Sequence, residues 1–348
     1  MRSPRISDVI ADTPAPWTPL VDALRADSPI AVLEQSEREL KRVLLDELSS
    51  SLGGDRIRAL ARFQQELGFL LKYKSYAVKA ASPLGYSVFL QRPGEGFSFQ
   101  QHVTHKTEIF YVLDVLPGGF VFLCDIDEWR RVYDRDAFLA WLRGGRDDRY
   151  ERFRFVPEPG DVVVIDRLNV VHSVFGCVLA EFATVSTDMV DRLHDQNERR
   201  PIPAEFTREF SETRLRAIVW PETSHRVRFG VSGWTREAIA STRVRGGIET
   251  RFGDDDRFSA SLFRLDAGST SATAAHPERA TALHVASGSG TLRLGTADEL
   301  RRPDPPSLPA RAGDLFLIAP GACYALVNDG PGPLVVAEHR IAPDVAFV

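Results

Sequence analysis

The chain has 348 residues, of which 43% are hydrophobic and 26% charged, and this composition suits one or two folded domains and excludes an intrinsically disordered protein. The net charge of −5 provides no basic field for nucleic acid, so we expect no nucleic-acid partner. Cys124, Cys177 and Cys323 are odd in number and far apart, which argues against a disulfide framework and favours a reducing compartment. The sequence shows neither a signal peptide nor the ~18 apolar residues that cross a bilayer, so we expect a cytoplasmic protein without membrane contact.

Residues 1–80 predict an α-helical N-terminal extension. Apolar residues recur at steps of three and four in segments 33–48 and 57–70, with charged residues between them. The run SSSLGG separates two helices, and Asp55 is a suitable N-cap for the second. We expect these helices to pack on the neighbouring domain or to form the interface of a homodimer.

Two β-rich series follow the helical extension. Over residues 81–206, short runs of β-branched and aromatic residues alternate with Gly and Pro, which predicts a sandwich or closed barrel. A helical insertion at 127–145 covers the barrel mouth as a lid or is a packed excursion. Residues 207–255 connect to a second β-rich series at 256–348, in which the same order of signals indicates a divergent internal repeat.

Potential metal ligands are concentrated in the first β-rich series. The chain has eight histidines, and His102, His105 and His172 lie there together with Glu108. In a small antiparallel barrel alternate residues point inward, so ligands on neighbouring strands can converge on one ion. Imidazoles and a carboxylate suit one divalent Fe, Mn, Ni, Co or Zn ion and do not select among these metals.

The residues around these ligands resemble the motifs of the cupin superfamily. Gly96, His102, Glu108 and the phrase EIFYVLD match the first motif, and the Pro-Gly-Asp turn at 159–161, Ile165 and His172 match the second. This resemblance covers most of residues 84–190 and, more weakly, 256–342. It implies a mainly β bicupin, with two jelly-roll barrels behind the helical extension, a metal in the barrel at 81–206 and a degenerate barrel at 256–348.

The first barrel departs from the cupin motifs at two points. The order H-x-x-H-x-x-E replaces H-x-H-x3,4-E, so His102 and His105 both point inward only if the chain bulges between them. His102, Glu108 and His172 are therefore the firmer ligands. In the second motif Asn169 replaces a usual turn residue, and asparagine can adopt the positive φ that such a turn needs.

The second barrel keeps the scaffold and loses the ligands. Tyr324 stands where the second motif has its histidine, Thr281 falls at the glutamate position, and His276 aligns with one ligand. One imidazole does not make a metal site, so we expect this barrel to be structural or to form an interface.

A finer resemblance concerns the substrate. The runs SFQQHVTHKTEIFYVL and EFATVSTDMVDRLHDQNER are similar to phrases of phosphomannose-isomerase-like and lyxose-isomerase-like sugar cupins. This implies a metal-dependent enzyme that isomerises or otherwise modifies a sugar, sugar phosphate or nucleotide sugar. The metal would be the Lewis acid, and a nearby base would move the proton.

Two residues are candidates for catalysis. Lys106 could balance a substrate phosphate or an enolate, or could be a solvated turn lysine. Glu181 could be the base or could orient a ligand. Arg167 and Arg192 are candidates for anion binding or for surface ion pairs.

Two other functions stay open. His102, Glu108 and His172 could form the two-histidine, one-carboxylate face of a mononuclear non-haem Fe(II) dioxygenase. The chain could also be a non-catalytic sugar-binding bicupin.

Overall fold

The computed structural model describes residues 70–74, 77–81, 84–104, 106–184, 189–193, 206, 208–230, 232–254 and 258–342. Within these ranges the chain is mainly β, as the sequence predicted. The helical extension predicted for 1–80 lies outside them up to residue 69, and there it stays a prediction. For residues 70–80 it is wrong, because Leu70–Lys74 and Ala77–Ala81 are strands that pair with each other and continue the sheet beside Tyr86–Gln91.

The first sheet has eleven strands in the described part of the chain. Its main path is β1-β2-β3-β8-β5-β7-β10-β11, with β4, β6 and β9 attached at the side. The bounds are β1 (Leu70–Lys74), β2 (Ala77–Ala81), β3 (Tyr86–Gln91), β4 (Phe99–His102), β5 (Glu108–Asp125), β6 (Arg154–Phe155), β7 (Asp161–Ile165), β8 (Val170–Ala183), β9 (Met189–Leu193), β10 (His225–Gly230) and β11 (Gly233–Ala238).

Two long strands bend this sheet into a barrel. The 18-residue β5 and the 14-residue β8 pair with each other along most of their lengths, with register shifts after Val112 and Val115. The early part of β8 also pairs with β4, and its later part pairs with β3. β5 and β8 therefore run through both sides of the barrel. Their inward side chains, among them Phe110, Leu123 and Leu179, form an apolar interior.

The predicted helical insertion consists of short helices, α1 (Ile126–Val132), α2 (Arg135–Leu142) and α3 (Asp148–Glu151). Tyr133 is the C-cap of the first helix, and Asp134 caps the second, since its carboxylate accepts a hydrogen bond from Ala137 N at 2.8 Å. Phe138 of α2 is fully buried, and its ring centroid lies 4.8 Å from that of Phe99 on β4. The apolar side of α2 thus covers the outside of the barrel, which makes the insertion a packed excursion.

The second half of the described chain contains two facing sheets around a separate apolar core. Strand order is β12-β13-β14-β21-β16-β19 in one sheet and β15-β20-β17-β18 in the other. The bounds are β12 (Ser241–Val244), β13 (Gly247–Asp254), β14 (Phe258–Leu265), β15 (Ala274–Ala275), β16 (Ala280–Ser287), β17 (Ser289–Gly295), β18 (Ser307–Arg311), β19 (Leu315–Ile318), β20 (Cys323–Val327) and β21 (Leu334–Ile341). Two further helices are α4 (Arg208–Arg216) and α5 (Ala297–Leu300).

The outer faces of the two barrels share one apolar core. Tyr86, Tyr111 and Phe182 of the first barrel belong to the same buried cluster as Phe252 and Phe258 of the second. The first barrel is therefore covered by helices on one side and by the second barrel on the other. The predicted boundaries at 80, 206 and 255 stay a prediction. None of the described helices is long and apolar enough to cross a membrane.

Candidate metal centre

Three polar side chains meet at one end of the first barrel. His102 ends β4, Glu108 begins β5, and His172 is the third residue of β8. Gln100 pairs with His172 across β4 and β8, which brings His102 next to this strand. Because strand alternation turns all three side chains inward, residues that are 70 positions apart in sequence come together.

The three ligand atoms are close enough to share one ion. Oε2 of Glu108 lies 3.0 Å from Nε2 of His172 and 3.4 Å from Nε2 of His102. All three ligand atoms lie within 4.8 Å of one another. His172 and Glu108 are each 1% exposed and His102 is 7% exposed. The arrangement is thus a buried His/Glu/His cluster that could bind a metal ion.

The hydrogen bond at Nδ1 of His172 orients the opposite ring nitrogen, Nε2, toward Glu108. Nδ1 lies 3.1 Å from the carbonyl oxygen of Val170, which can only accept, so Nδ1 carries the proton. In the neutral imidazole Nε2 then has a lone pair, and it faces Oε2 of Glu108. Oε2 receives no hydrogen bond from the described residues. A carboxylate oxygen without a hydrogen-bond donor, placed beside two imidazole nitrogens, is a donor set that a divalent metal fits.

Lys106 and Glu181 extend the cluster on one side. The Lys106 ammonium lies 2.5 Å from Oε1 of Glu108, 3.7 Å from Oε1 of Glu181 and 3.4 Å from Nε2 of His102. Lys106 therefore contacts the carboxylate oxygen that is not placed between the two imidazoles. The solvated turn lysine that the sequence allowed is wrong, because this side chain is only 12% exposed.

The charges of this group stabilise one another. Burial acts to raise the pKa of Glu108, but Lys106, His172 and His102 outweigh it and hold that pKa well below its usual range. Burial acts to lower the pKa of Lys106, but Glu108 and Glu181 outweigh it and raise that pKa. Glu108 is consequently an ionised carboxylate, the form that a metal ion needs.

A hydrogen-bonded network outside the cluster connects the two histidine strands. The side chain of Gln101 donates to Oδ1 of Asn169 at 2.7 Å and accepts from Nε of Arg192 at 2.9 Å. Asn169 N also lies 3.4 Å from the carbonyl oxygen of His102. Asn169 has φ 63°, which confirms the positive φ that the sequence predicted. This network fixes the turn that leads from β7 into His172.

Sequence reasoning missed the contribution of two glutamines, and its expectation of a surface ion pair is confirmed for Arg167. Nε2 of Gln100 lies 3.1 Å from Nε2 of His172, and Gln101 holds Asn169. Strand alternation could have found Gln100, since it lies two residues before His102 on the same face. Arg167 forms a surface ion pair with Asp125 at 3.5 Å, whereas Arg192 binds a glutamine side chain.

His105 lies outside the described residues, so its place among the ligands stays a prediction. The roles predicted for Lys106 and Glu181 also stay predictions. Within the described ranges, His102, Glu108 and His172 form one group with metal-ligand spacing, and the second barrel supplies no such group.

No protein-family model matches the chain, and no curated protein matches it. Among solved structures, the Bacillus subtilis oxalate decarboxylase at pH 4.6 shares 12% identity at a TM-score of 0.47, over 78% of this chain and 74% of that chain. The Lactobacillus farciminis oxalate decarboxylase in its formate complex shares 11% identity at a TM-score of 0.46, over 78% and 83%. The Bacillus subtilis mannose 6-phosphate isomerase shares 15% identity at a TM-score of 0.45, over 74% of each chain.

The first barrel contains a buried His/Glu/His cluster that could hold a metal. Identities of 11 to 15% with such TM-scores carry no information about substrate or reaction. The description of two barrels rests on the strand pairing of the chain itself.

Proposed function

We propose that this chain is a metal-dependent enzyme that isomerises a sugar or a phosphorylated sugar in its first barrel. One observation carries the proposal: a buried carboxylate, Glu181, and a buried ammonium, Lys106, lie beside the His102, Glu108 and His172 cluster. A Lewis acid, a base and a fixed positive charge at one place are the components that aldose–ketose interconversion needs. The motif resemblance to sugar cupins supports the same substrate class.

Each residue has a separate task in this proposal. A divalent ion held by His102, Glu108 and His172 would polarise a carbonyl and its neighbouring hydroxyl. Glu181 takes the proton from the carbon next to the carbonyl and returns it to the former carbonyl carbon, while the proton of the neighbouring hydroxyl passes to the former carbonyl oxygen. No external oxidant or reductant is required. Lys106 stabilises the negative charge that develops on the substrate oxygens between these two proton transfers.

The position of Glu181 fits a base better than a metal ligand. It lies on β8 nine residues after His172, its carboxylate lies 3.7 Å from the Lys106 ammonium, and it is not part of the group with metal-ligand spacing. Lys106 therefore connects the carboxylate of a metal ligand with the carboxylate of the proposed base. In the proposal, the substrate contacts the ion and Glu181 together.

A mononuclear Fe(II) dioxygenase is the second candidate. The observation that favours it is the composition of the described cluster, which is two histidines and one carboxylate. In that case the remaining positions on the metal would serve substrate and O₂, and Glu181 would be a hydrogen-bond partner of the site.

The experiment compares metals and atmospheres. The full chain is stripped with chelator and reloaded separately with Mn(II), Zn(II), Co(II), Ni(II) or Fe(II), and a panel of aldoses, ketoses and their phosphates is incubated under argon and under air. We expect interconversion under argon. Glu181→Gln should lose most of the turnover while keeping its metal, whereas Glu237→Gln, at an exposed position of β11, should behave as the wild type.

Two results would overturn the isomerase. Turnover with Fe(II) and O₂ alone identifies the dioxygenase. Saturable sugar binding without turnover under either atmosphere identifies a non-catalytic sugar-binding bicupin.

A further inference from the structure

The strand pairing shows which residues of the second barrel correspond to the candidate metal centre. In the first barrel His172 pairs with Gln100, and His102 follows two residues after Gln100. In the second barrel Tyr324 pairs with Ala274, and His276 follows two residues after Ala274. Tyr324 therefore takes the place of His172, and His276 takes the place of His102.

The same comparison extends to the proposed base. Glu181 pairs with Phe110, which lies two residues after Glu108. Glu338 pairs with Leu283, which lies two residues after Thr281. Glu338 is thus the second barrel's counterpart of Glu181.

These corresponding residues form one contiguous cluster. The Tyr324 hydroxyl donates to Oε2 of Glu338 and lies 3.3 Å from Nε2 of His276. Nε of Arg340 donates to Oε1 of Glu338 at 2.5 Å. Tyr324 and Glu338 are each 3% exposed. We name His276, Tyr324, Glu338 and Arg340 the second-barrel cluster.

Stability alone does not account for the second-barrel cluster. A buried ion pair such as that of Glu338 and Arg340 is commonly no more stable than apolar residues of the same volume. The side chains that pack with Tyr324 in the core of this barrel are otherwise apolar. Ser259, which pairs with Arg340, is 3% exposed, and its hydroxyl has no hydrogen-bond partner in the described chain. A group of buried polar side chains next to a hydroxyl without a hydrogen-bond partner is typical of a binding site.

The charges of the cluster restrict the class of ligand. The guanidinium of Arg340 disfavours a metal ion, and the carboxylate of Glu338 disfavours an anion. An apolar ligand would leave the buried polar groups without partners. Burial, together with Arg340 and Arg279, lowers the pKa of His276 to about 4, so its imidazole is neutral at pH 7 and can both donate and accept. The remaining class is an uncharged molecule with several hydroxyl groups.

We propose that the second-barrel cluster binds an uncharged polyhydroxylated ligand, such as a monosaccharide or an alditol, without a metal. Adjacent ligand hydroxyls donate to Glu338 and accept from Arg340, while Tyr324, His276 and Ser259 contact the next hydroxyls. Arg340 is 18% exposed and His276 is partly exposed, so the cluster reaches solvent. This inference does not depend on the function proposed for the first barrel.

The test is isothermal titration calorimetry on the chelator-treated full chain with D-mannose, D-glucose and D-sorbitol, and with acetate and phosphate as anionic probes. We expect saturable binding of at least one uncharged probe, with Kd raised about tenfold in Tyr324→Phe because one hydrogen bond to a charged network is lost. Arg340→Met should weaken binding at least as much. Glu108→Gln, which removes a candidate ligand of the first barrel, should bind as the wild type.

Four outcomes would overturn the inference. One is that no uncharged probe binds to the chelator-treated wild type. Another is that Tyr324→Phe binds with wild-type affinity while its thermal unfolding is also unchanged, which shows a folded protein that does not use this hydroxyl. The third is that Glu108→Gln abolishes binding, which assigns the ligand to the first barrel. Preference for acetate or phosphate makes the cluster an anion site and contradicts the stated ligand class.

Discussion

The ammonium of Lys106 lies 2.5 Å from Oε1 of Glu108, while Oε2 of the same carboxylate faces two imidazoles. Lys106 is 12% exposed and Glu108 is 1% exposed, so solvent screens this pair weakly. Without the ammonium, the buried carboxylate loses its largest stabilising charge, and a bound metal ion can replace it. The pair therefore links the stability of the first barrel to metal binding.

Lys106→Met is predicted to destabilise the metal-free protein by about 3 kcal/mol, the usual cost of removing one partner of a buried ion pair. Urea unfolding in chelator measures this loss. Added Mn(II) or Zn(II) should restore most of it, because the ion neutralises the carboxylate that the variant leaves unpaired.

A surface ion pair provides the control. Arg130 lies 3.3 Å from Asp127, and the two side chains are 67% and 91% exposed. Arg130→Met is expected to change stability by about 0.5 kcal/mol or less. If Lys106→Met were as stable as Arg130→Met in chelator, the Lys106–Glu108 pair would not stabilise the metal-free barrel.

Removal of any one of the three described ligands should abolish metal retention. His102→Ala, Glu108→Gln and His172→Ala are each expected to reduce the metal content of the purified protein from about one ion per chain to near zero, as measured by inductively coupled plasma mass spectrometry. His225→Ala, on β10, should keep the ion. The same measurement on His105→Ala decides between three and four protein ligands. If all three ligand variants kept the full metal content, these residues would not be the metal ligands.

The sequence predicted those parts of the fold and site that depend on local pattern. Strand runs, the Pro-Gly-Asp turn and the positive φ of Asn169 follow from alternation and from the preferences of single residues. Glu108 and His172 followed from their match to motifs. Each of these signals lies within about 15 consecutive residues, so no tertiary information was needed.

The rest depends on strand register, which the local pattern does not specify. Lys106 and Glu181 meet because Phe110 pairs with Glu181 across β5 and β8. Glu338 and Arg340 were missed because they lie on β21, outside both cupin motifs. Comparison with a motif shows where a metal ligand is absent, but it does not detect polar residues on another strand. Only the strand register shows that Glu338 occupies the position in the second barrel that Glu181 occupies in the first.

Asn169 should be sensitive to the shape of its substituent. Its φ of 63° disfavours a β-branched side chain, and its Oδ1 accepts from Gln101. Both Asn169→Gly and Asn169→Val lose that hydrogen bond, but glycine tolerates the backbone conformation. Asn169→Val is therefore expected to be less stable than Asn169→Gly by about 1–2 kcal/mol in urea unfolding, and to retain less metal. Equal stability of the two variants would show that the turn changes its conformation without cost.

Two buried histidines between the barrels should make the fold sensitive to acid. The Tyr86 hydroxyl lies 2.6 Å from Nδ1 of His284, and the His339 ring centroid lies 5.9 Å from that of Phe182. Burial lowers the pKa of His284 to about 3 and the pKa of His339 to about 4. In the unfolded chain a histidine has a pKa of about 6.5. As the pH falls below that value, the unfolded chain takes up protons that the folded chain does not, so stability decreases.

The free energy of unfolding is predicted to fall between pH 7 and pH 4.5, by about 2 kcal/mol for each of these histidines. Urea unfolding of His284→Gln over this range should show a smaller decrease than the wild type, since glutamine does not titrate. Tyr86→Phe provides the matched control: it loses the hydrogen bond at every pH, at a cost of about 1 kcal/mol, but keeps His284 buried. Its pH dependence should therefore remain close to that of the wild type. If His284→Gln and the wild type lost equal stability between pH 7 and pH 4.5, protonation of His284 would not contribute to acid unfolding. The loss of stability would then come from other titrating groups.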